Sequence, residues 1–341
     1  MKINGYIAVA TWFIASVCQF SAYAQINDSS PPLDLNTALH SQSPIAASEW
    51  HLLSITAQHW FKVADAHTVL EGASLERHGD LIFSDSGGGR IMKLTTRKQL
   101  TTVSRFKSEG PGGTAIHKDG RIFVALLNKD YTRGRIVAMN ADGTHQQDII
   151  PVKDGYVPND VVFDSKGGFY FTDFRGTSTD PAGGVYHVSS DFRTITPVLR
   201  HLSLANGLAL SPDNSTLWVT EYGRNQLYRI DLKSPAVVRP LGTAITYRFT
   251  GPSPDSMRTE SKGNLYVSVM DQGRVLIFAS NGVPVGQILL PQRDEGHNLE
   301  TASLALSPEN NSLYIVAGDR NDAEIFRAEG LAPGVRLFSH R

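Results

Sequence analysis

A pattern repeated six times along the chain constrains the fold more than any other feature of the sequence. The repeats begin at positions 71, 112, 159, 206, 255 and 302, which gives intervals of 41, 47, 47, 49 and 47 residues. Each unit reads as an apolar run, a polar turn built on Gly, Asp or Asn, an apolar or aromatic run, and a third run of branched and aromatic residues. This pattern is typical of consecutive β-strands joined by turns.

The repeat length predicts an all-β fold, a six-bladed β-propeller. Units in the forties with three or four strands each and no helical periodicity match a propeller blade. The sixth unit is short by one strand, and an open blade edge would be free to pair with other chains. The segment WHLLSITAQHWFKV, Trp50 to Val63, is therefore predicted to supply the N-terminal strand that closes the ring. Residues 46–341 are predicted to form this single domain.

The N-terminus has the layout of a cleaved secretory signal over residues 1–24. One charge, Lys2, precedes an uncharged apolar stretch and the small-residue pattern Ala22-Tyr23-Ala24. We expect cleavage near Ala24 and a secreted or periplasmic mature protein, with residues 25–45 as a flexible leader. The apolar stretch has 15 residues, fewer than the roughly 20 of a membrane span. We therefore expect no membrane association, and an uncleaved anchor is the alternative.

Cysteine and charge content exclude several classes of protein. The one cysteine, Cys18, lies within the predicted signal, which excludes disulfides, thiolate catalysis and Cys-ligated metal sites from the mature chain. The 32 Lys and Arg residues nearly balance the 33 Asp and Glu residues, so no nucleic-acid partner is expected. The chain has no G-x-S-x-G and no H-E-x-x-H motif, which leaves serine-hydrolase and zincin mechanisms without support.

Oxygen-bearing side chains occupy one or both of two consecutive positions ahead of the first strand in most repeats. In a propeller the first strand of every blade lines the central channel, so these positions face one another. The oxygen-bearing residues among them, here called the oxygen ring, are Glu71, Asn159, Asp160, Asn206, Asp255 and Ser256. The three carboxylates would repel one another, with no Lys or Arg in the same frame, and a cation would relieve this repulsion. Hard oxygen donors without His or Cys favour Ca2+, although another divalent cation would fit the same donors.

An ordinary structural role also accounts for any one of these residues alone. Asn and Asp are common at strand entries and in turns, because their side chains bond to local backbone groups. The shared frame across four repeats favours a common site over six separate caps.

Several segments resemble one known family. The stretches VFDSKGGFYFTDFRGTSTDPAGGVYHV, LANGLALSPDNSTLWVTEYGRNQLYRI, GPSPDS and GRVLIFASNGVPVGQILLPQRDEGH are similar to the SMP-30/gluconolactonase/regucalcin-like family. The first of them is especially similar to the Drp35-type calcium-dependent lactonases. The resemblance runs from about Ser48 to His297. It implies a six-bladed propeller that hydrolyses lactones with Ca2+ in its channel.

Matched residue by residue, the resemblance also implies roles for the oxygen ring. The implied metal ligands are Glu71, Asp160, Asn206, Asp255 and Ser256. Asp255 is implied to move the proton as the catalytic residue, and Asn159 matches a position that binds substrate or metal in different members. A carboxylate that ligates a cation has a depressed pKa, which suits a base and handicaps an acid. His297 is therefore the alternative proton carrier.

Two functions remain open on this sequence. The first is a calcium-dependent lactonase acting on a small-molecule lactone. The second is a non-catalytic, calcium-containing propeller that binds a sugar or another small ligand, because a fold does not fix a function. The amides of Asn159 and Asn206 favour catalysis, since they could hold a substrate oxygen at an open coordination position. The loops LLNKDYTRG, RGTSTDPAGG and EGHNLE are predicted to lie over the channel mouth and to select the lactone.

Overall fold

The six repeats form six antiparallel sheets in a computed structural model, which describes residues 40–251 and 253–341. The predicted signal, 1–24, and most of the predicted leader, 25–45, lie outside the described residues. None of the helices in the described part of the chain is long or apolar enough to span a bilayer. They are short 3-10 turns at Ala47–Glu49, Val152–Asp154, Tyr222–Arg224, Arg293–Glu295 and Phe338–His340.

The strands follow the repeats, with two strands ahead of the first blade, β1 (Leu53–Thr56) and β2 (Gln58–Ala64). Blade one contains β3 (Leu70–Leu75), β4 (Leu81–Asp85), β5 (Arg90–Leu94) and β6 (Leu100–Arg105). Blade two contains β7 (Glu109–Ile116), β8 (Ile122–Asn128), β9 (Gly134–Met139) and β10 (Gln147–Ile150). Blade three contains β11 (Pro158–Phe163), β12 (Phe169–Asp173), β13 (Gly183–Val188) and β14 (Ile195–Leu202).

The second half of the domain continues in the same order. Blade four contains β15 (Ala205–Leu210), β16 (Thr216–Glu221), β17 (Gln226–Ser234) and β18 (Val237–Arg248). Blade five contains β19 (Pro254–Thr259), β20 (Leu265–Val269), β21 (Arg274–Phe278) and β22 (Pro284–Leu289). Blade six contains β23 (Glu300–Leu306), β24 (Ser312–Gly318) and β25 (Ala323–Glu329). The predicted six-bladed β-propeller is confirmed.

The segment ahead of the first blade closes the ring, as the sequence predicted. Strand β2 pairs antiparallel with β25 and becomes the outer strand of blade six, with Gln58 opposite Arg327. The sequence did not predict that the same segment also contains β1, which pairs in parallel with β22 and adds a fifth strand to blade five. One segment therefore fastens two neighbouring blades.

The described chain contacts the propeller before the predicted domain boundary at residue 46. The hydroxyl of Ser43 donates to the Gln272 carbonyl, and the Arg293 guanidinium donates to the Ser43 carbonyl and hydroxyl. A little further on, buried Glu49 accepts a hydrogen bond from Arg274 Nη1 at 2.6 Å. The end of the segment predicted as a flexible leader is thus part of the packed domain.

Apolar side chains fill the spaces between neighbouring blades. Six buried clusters are present, one for each pair of neighbours, and one of them joins Leu70 and Phe83 of blade one to Ile325 of blade six. Between blades two and three, the rings of Phe123 and Phe163 meet edge to face at 4.9 Å. Because the cluster between blades six and one is complete, the core runs around the whole ring.

The innermost strands β3, β7, β11, β15, β19 and β23 contact one another around a central channel. The end at which these strands begin is here called the mouth. The opposite, far end is covered by the C-terminal segment, residues 335–340. The amide of Val335 donates to the Thr259 carbonyl at 3.2 Å, and Phe338 packs on Phe163. The C-terminal segment therefore closes the far end of the channel.

Candidate active site

The oxygen ring lies within the inner strands, and not just ahead of them as the sequence suggested. In every blade the pairing of the inner strand shifts register near its start. In blade three, Asn159 and Asp160 together face the single residue Thr172. This two-against-one arrangement is a β-bulge, which frees side chains from the regular alternation and re-aims them. The bulges are the reason that consecutive polar residues reach the channel mouth.

Hydroxyl groups on the second strands hold the bulges in place. The Thr172 hydroxyl accepts from the Asp160 amide at 2.9 Å and donates to the Asn206 carbonyl of the next blade at 2.6 Å. Thr220 does the same between the Gly207 amide and the Asp255 carbonyl. Each hydroxyl replaces a backbone hydrogen bond lost at the bulge and links that bulge to the inner strand of the next blade. The oxygen ring is therefore held by hydrogen bonds to the backbone as well as by packing.

The inner strands approach so closely at the mouth that glycine is required between them. A Cβ atom on Gly113 would lie 2.1 Å from Asp160 Oδ1, and one on Gly207 would lie 2.3 Å from the Asp255 carbonyl oxygen. Both distances are far below van der Waals contact. The two glycines therefore let the polar residues of adjacent blades converge.

All three carboxyl groups of the oxygen ring have raised pKa values, that of Asp160 chiefly because of burial. Burial, together with the charge of Asp160, raises the pKa of Glu71 to about 7. Glu71 keeps some contact with solvent, but the surrounding protein still disfavours its charged form. Burial and the charge of Glu71 hold the pKa of Asp255 well above its usual range. The repulsion predicted from the sequence is thus present when no cation balances it.

Two amide oxygens in the ring have no hydrogen-bond partner. Asn159 Oδ1 and Asn206 Oδ1 are both buried and both unpaired. The side chain of Asn206 also hydrogen-bonds to the Asp255 carboxylate, which leaves its oxygen free. Buried polar atoms without partners are uncommon in folded proteins and call for an explanation. Free amide oxygens beside carboxylates are the donors that a hard cation prefers, so the residues present fit Ca2+.

Asp160 and Ser256 are held more deeply than the rest of the ring. Asp160 accepts hydrogen bonds from the Val161 and Leu208 amides at 2.8 and 3.1 Å, and the Ser256 side chain bonds to the same carboxylate. Each carboxylate oxygen has two lone pairs, so these bonds leave room for an ion. No three His, Cys, Asp or Glu side chains in the described ranges converge into a cluster that could hold a metal by themselves. Any site here would mix carboxylate, amide and hydroxyl oxygens.

A cation of the protein itself lies next to the ring, contrary to the expectation of an uncompensated acidic frame. Arg258 Nη1 is 3.9 Å from Asp160 Oδ2. Burial lowers the pKa of Arg258, and the Asp160 charge opposes that shift. Arg258 follows Ser256 by two residues on β19, and alternation along the strand would place both on one face. That spacing is the sequence signal that could have revealed it.

His297, the alternative proton carrier, lies away from the oxygen ring. Its Nδ1 is 2.9 Å from Asp319 Oδ2, and it lines a separate surface cavity of about 470 Å3 with Asp271 and Glu300. No residue of the oxygen ring lines this cavity in the described part of the chain.

Three aromatic rings form an arc at the mouth that sequence reasoning missed. Phe174 meets Tyr131 and Tyr222 at centroid distances of 5.7 and 5.8 Å, both edge to face. Burial and the Glu71 charge raise the pKa of Tyr131, and burial and the Asp255 charge raise that of Tyr222. The negative charges of the oxygen ring therefore contribute to the raised pKa values of both phenols. Phe174 and Tyr222 each follow a second strand directly, a position at which the sequence could have revealed them.

Comparison with known proteins assigns the chain to a family. The model for the SMP-30/gluconolactonase/LRE-like region matches residues 71–318, which contain every residue of the oxygen ring. The chain belongs to this family. The lactonase drp35 of Staphylococcus saprophyticus is 43% identical over 315 residues, covering 90% of this chain and 97% of the relative. The lactonase drp35 of Staphylococcus haemolyticus is 44% identical over 317 residues, with the same coverage.

Solved structures of the family share the fold at lower sequence identity. A calcium-binding regucalcin from Agrobacterium tumefaciens superposes with a TM-score of 0.67 at 14% identity, over 82% of this chain and 97% of that one. A gluconolactonase from Xanthomonas campestris gives a TM-score of 0.61 at 20% identity, over 86% of this chain and 94% of that one. These likenesses confirm the propeller fold.

Proposed function

We propose that the protein is a calcium-dependent lactonase whose active site is the mouth of the central channel. The observation that carries the proposal is the pair of unpaired, buried amide oxygens beside Glu71 and Asp255. The names of the drp35 relatives and the length of the match support the reaction type.

The ion would be held by the oxygen ring. Glu71, Asp160, Asn206, Asp255 and Ser256 would supply the oxygen donors. Another divalent cation would meet the same oxygens. A bound divalent ion would polarise the lactone carbonyl and lower the pKa of a water molecule.

Asp255 would carry the proton in this reaction. Hydrolysis forms a bond from the water oxygen to the lactone carbonyl carbon and breaks the ring C–O bond, and one proton moves from the water to the departing ring oxygen. Coordination to the ion would lower the pKa of this carboxylate, which suits its role as the group that accepts the proton. Asn206, bonded to Asp255, fixes the orientation of the carboxylate.

Asn159 and the aromatic arc would bind the substrate. The Asn159 side chain lies in the same bulge as Asp160 and can bond to a substrate oxygen. The rings of Tyr131, Phe174 and Tyr222 offer apolar faces on one side of the mouth.

Lactone hydrolysis before and after chelation tests the proposal. Chelator-washed protein should be inactive on a panel of lactones of different ring sizes and should regain activity when Ca2+ is added. Calorimetry on the same sample should show one calcium-binding event. Calcium binding with no hydrolysis of any lactone would instead support the non-catalytic binding propeller.

We also propose that the mature protein is secreted or periplasmic after cleavage near Ala24. The support is the layout of the first 24 residues. N-terminal sequencing of the protein recovered from outside the cytoplasm should begin at Gln25, and recovery of the full-length chain from the membrane fraction would contradict cleavage.

A further inference from the structure

A buried arginine lies beneath the oxygen ring. The Arg258 side chain is 10% exposed. Its Nη2 donates to the Ala73 carbonyl of blade one at 2.8 Å, and its Nη1 donates to the Met257 carbonyl of blade five at 2.7 Å. Its third neighbour is Asp160 of blade three, with 3.9 Å between Nη1 and Oδ2. One guanidinium thus joins the inner strands of three alternate blades.

The surroundings of Arg258 offer few other partners for its charge. On the side away from the ring it lines a cavity of about 40 Å3, enclosed mainly by apolar side chains such as Leu208, Leu306 and Phe338. Such a cavity holds at most a few water molecules. Because a buried charge without a partner is strongly unfavourable, Arg258 and Asp160 depend on each other.

The charges of the site balance only when Arg258 is included. When Glu71, Asp160 and Asp255 are all ionised they carry three negative charges, and Arg258 reduces their sum to two. A divalent cation neutralises that remainder.

We propose that Arg258 is a positioning residue of the calcium site, a permanent counter-charge that holds Asp160 in place while the ion is absent and opposes the ion when it binds. The proposal rests on the calcium site proposed above. Removing the guanidinium destabilises the ion-free protein more than the calcium-loaded protein, because calcium then takes over its role. By thermodynamic linkage, the calcium affinity must rise by the corresponding factor.

The experiment compares Arg258→Met with the wild type, using Ca2+ as the probe. In chelator the melting temperature of the variant should fall by about 10 °C, the size expected for a broken buried pair. In saturating Ca2+ the fall should be less than half as large. Calorimetry should show calcium binding about tenfold tighter than in the wild type. Folding of the variant only in the presence of Ca2+ would be the extreme form of the same result.

Arg274→Met is the matched control, since Arg274 is equally buried in blade five and paired with Glu49 at 2.6 Å, away from the inner strand. It should lower the melting temperature equally with and without Ca2+. Arg258→Lys keeps the charge and should bind calcium within about threefold of the wild type. Equal losses with and without Ca2+ in Arg258→Met, an unchanged or weaker calcium affinity, or tightening in Arg258→Lys as large as in Arg258→Met would overturn the proposal. A wild type that binds no calcium would instead remove the proposed site itself.

Discussion

The two ends of the channel are built from the same six strands but treat their polar groups in opposite ways. At the far end the buried hydroxyls of Ser74 and Thr259 have partners on neighbouring blades: Ser74 donates to the Thr114 carbonyl at 2.8 Å, and Thr259 donates to the Leu210 carbonyl. At the mouth, Asn159 Oδ1 and Asn206 Oδ1 are buried without partners. The buried polar groups named at the far end are therefore paired, whereas the two amide oxygens at the mouth are not.

This difference implies that the far end contributes mainly to stability and the mouth mainly to function. An unsatisfied buried polar group costs about 1 to 3 kcal/mol, so the mouth lowers the stability of the ion-free fold. The apolar contacts of the far end offset that cost. Substitutions at the mouth should therefore change activity more than stability, and substitutions at the far end should do the reverse.

The largest expected effect is the loss of turnover in Asp255→Asn. The substitution keeps an oxygen donor of similar size but removes the basicity, so lactone hydrolysis should fall by about 10²- to 10⁴-fold, as when a general acid-base group is lost. Steady-state rates at saturating Ca2+ measure this. The melting temperature in chelator should not fall, because a buried carboxylate that repels Glu71 has been neutralised.

Glu71→Gln is the companion variant for that measurement. Its loss of activity should come mainly through weaker calcium binding, so high Ca2+ should restore much of it. Full recovery of turnover by Asp255→Asn at high Ca2+ would show that Asp255 is only a metal ligand and that another group carries the proton.

The next largest effect belongs to the far end. Phe338→Ala removes a ring packed against Phe163 and His117, and the cavity left behind should lower the free energy of unfolding by about 3 to 5 kcal/mol. Denaturant unfolding measures that loss. Calcium affinity should stay within about twofold of the wild type. A parallel fall in calcium affinity would show that the two ends are coupled.

A smaller effect should appear in the pH dependence of the calcium-free protein. The pKa of Glu71 rises from 4.5 to about 7 on folding, so the folded state binds its proton more tightly than the unfolded state does. The resulting stabilisation is complete below the unfolded pKa and disappears as the pH rises to about 7, a change on the order of 1 kcal/mol after allowing for solvent contact. The shift in melting temperature caused by Ca2+ should therefore grow between pH 5 and pH 7. Glu71→Gln should flatten that trend, and an equally steep trend in the variant would exclude Glu71 as its source.

The smallest effect concerns the leader, which touches neither end of the channel in the described residues. Starting the mature chain at residue 41 should leave the melting temperature and calcium affinity unchanged. Starting it at residue 44 removes Ser43, which accepts hydrogen bonds from Arg293, and should cost about 1 kcal/mol. Identical melting of the two truncated proteins would show that this contact adds nothing to stability.

The repeat period predicted the blades, and the short sixth repeat predicted that an N-terminal strand closes the ring. Both predictions follow from local patterns in the order of residues along the chain. The bulges were not predictable in this way, because two residues such as Asn159 and Asp160 form a bulge only relative to the single residue opposite them. Arg258 was missed although its spacing of two residues from Ser256 was a signal in the sequence. The pairing of β1 with β22 depends on residues more than 200 positions apart, which no local pattern records.

The pairing of β2 with blade six has a consequence for folding during synthesis of the protein. Gln58 is among the first residues of the domain to leave the ribosome, and its partner Arg327 is among the last. The ring cannot close during translation, because three strands of its final blade do not yet exist. Contacts of such long sequence separation also make folding slow. The last blade therefore cannot be completed until nearly the whole chain has been synthesised.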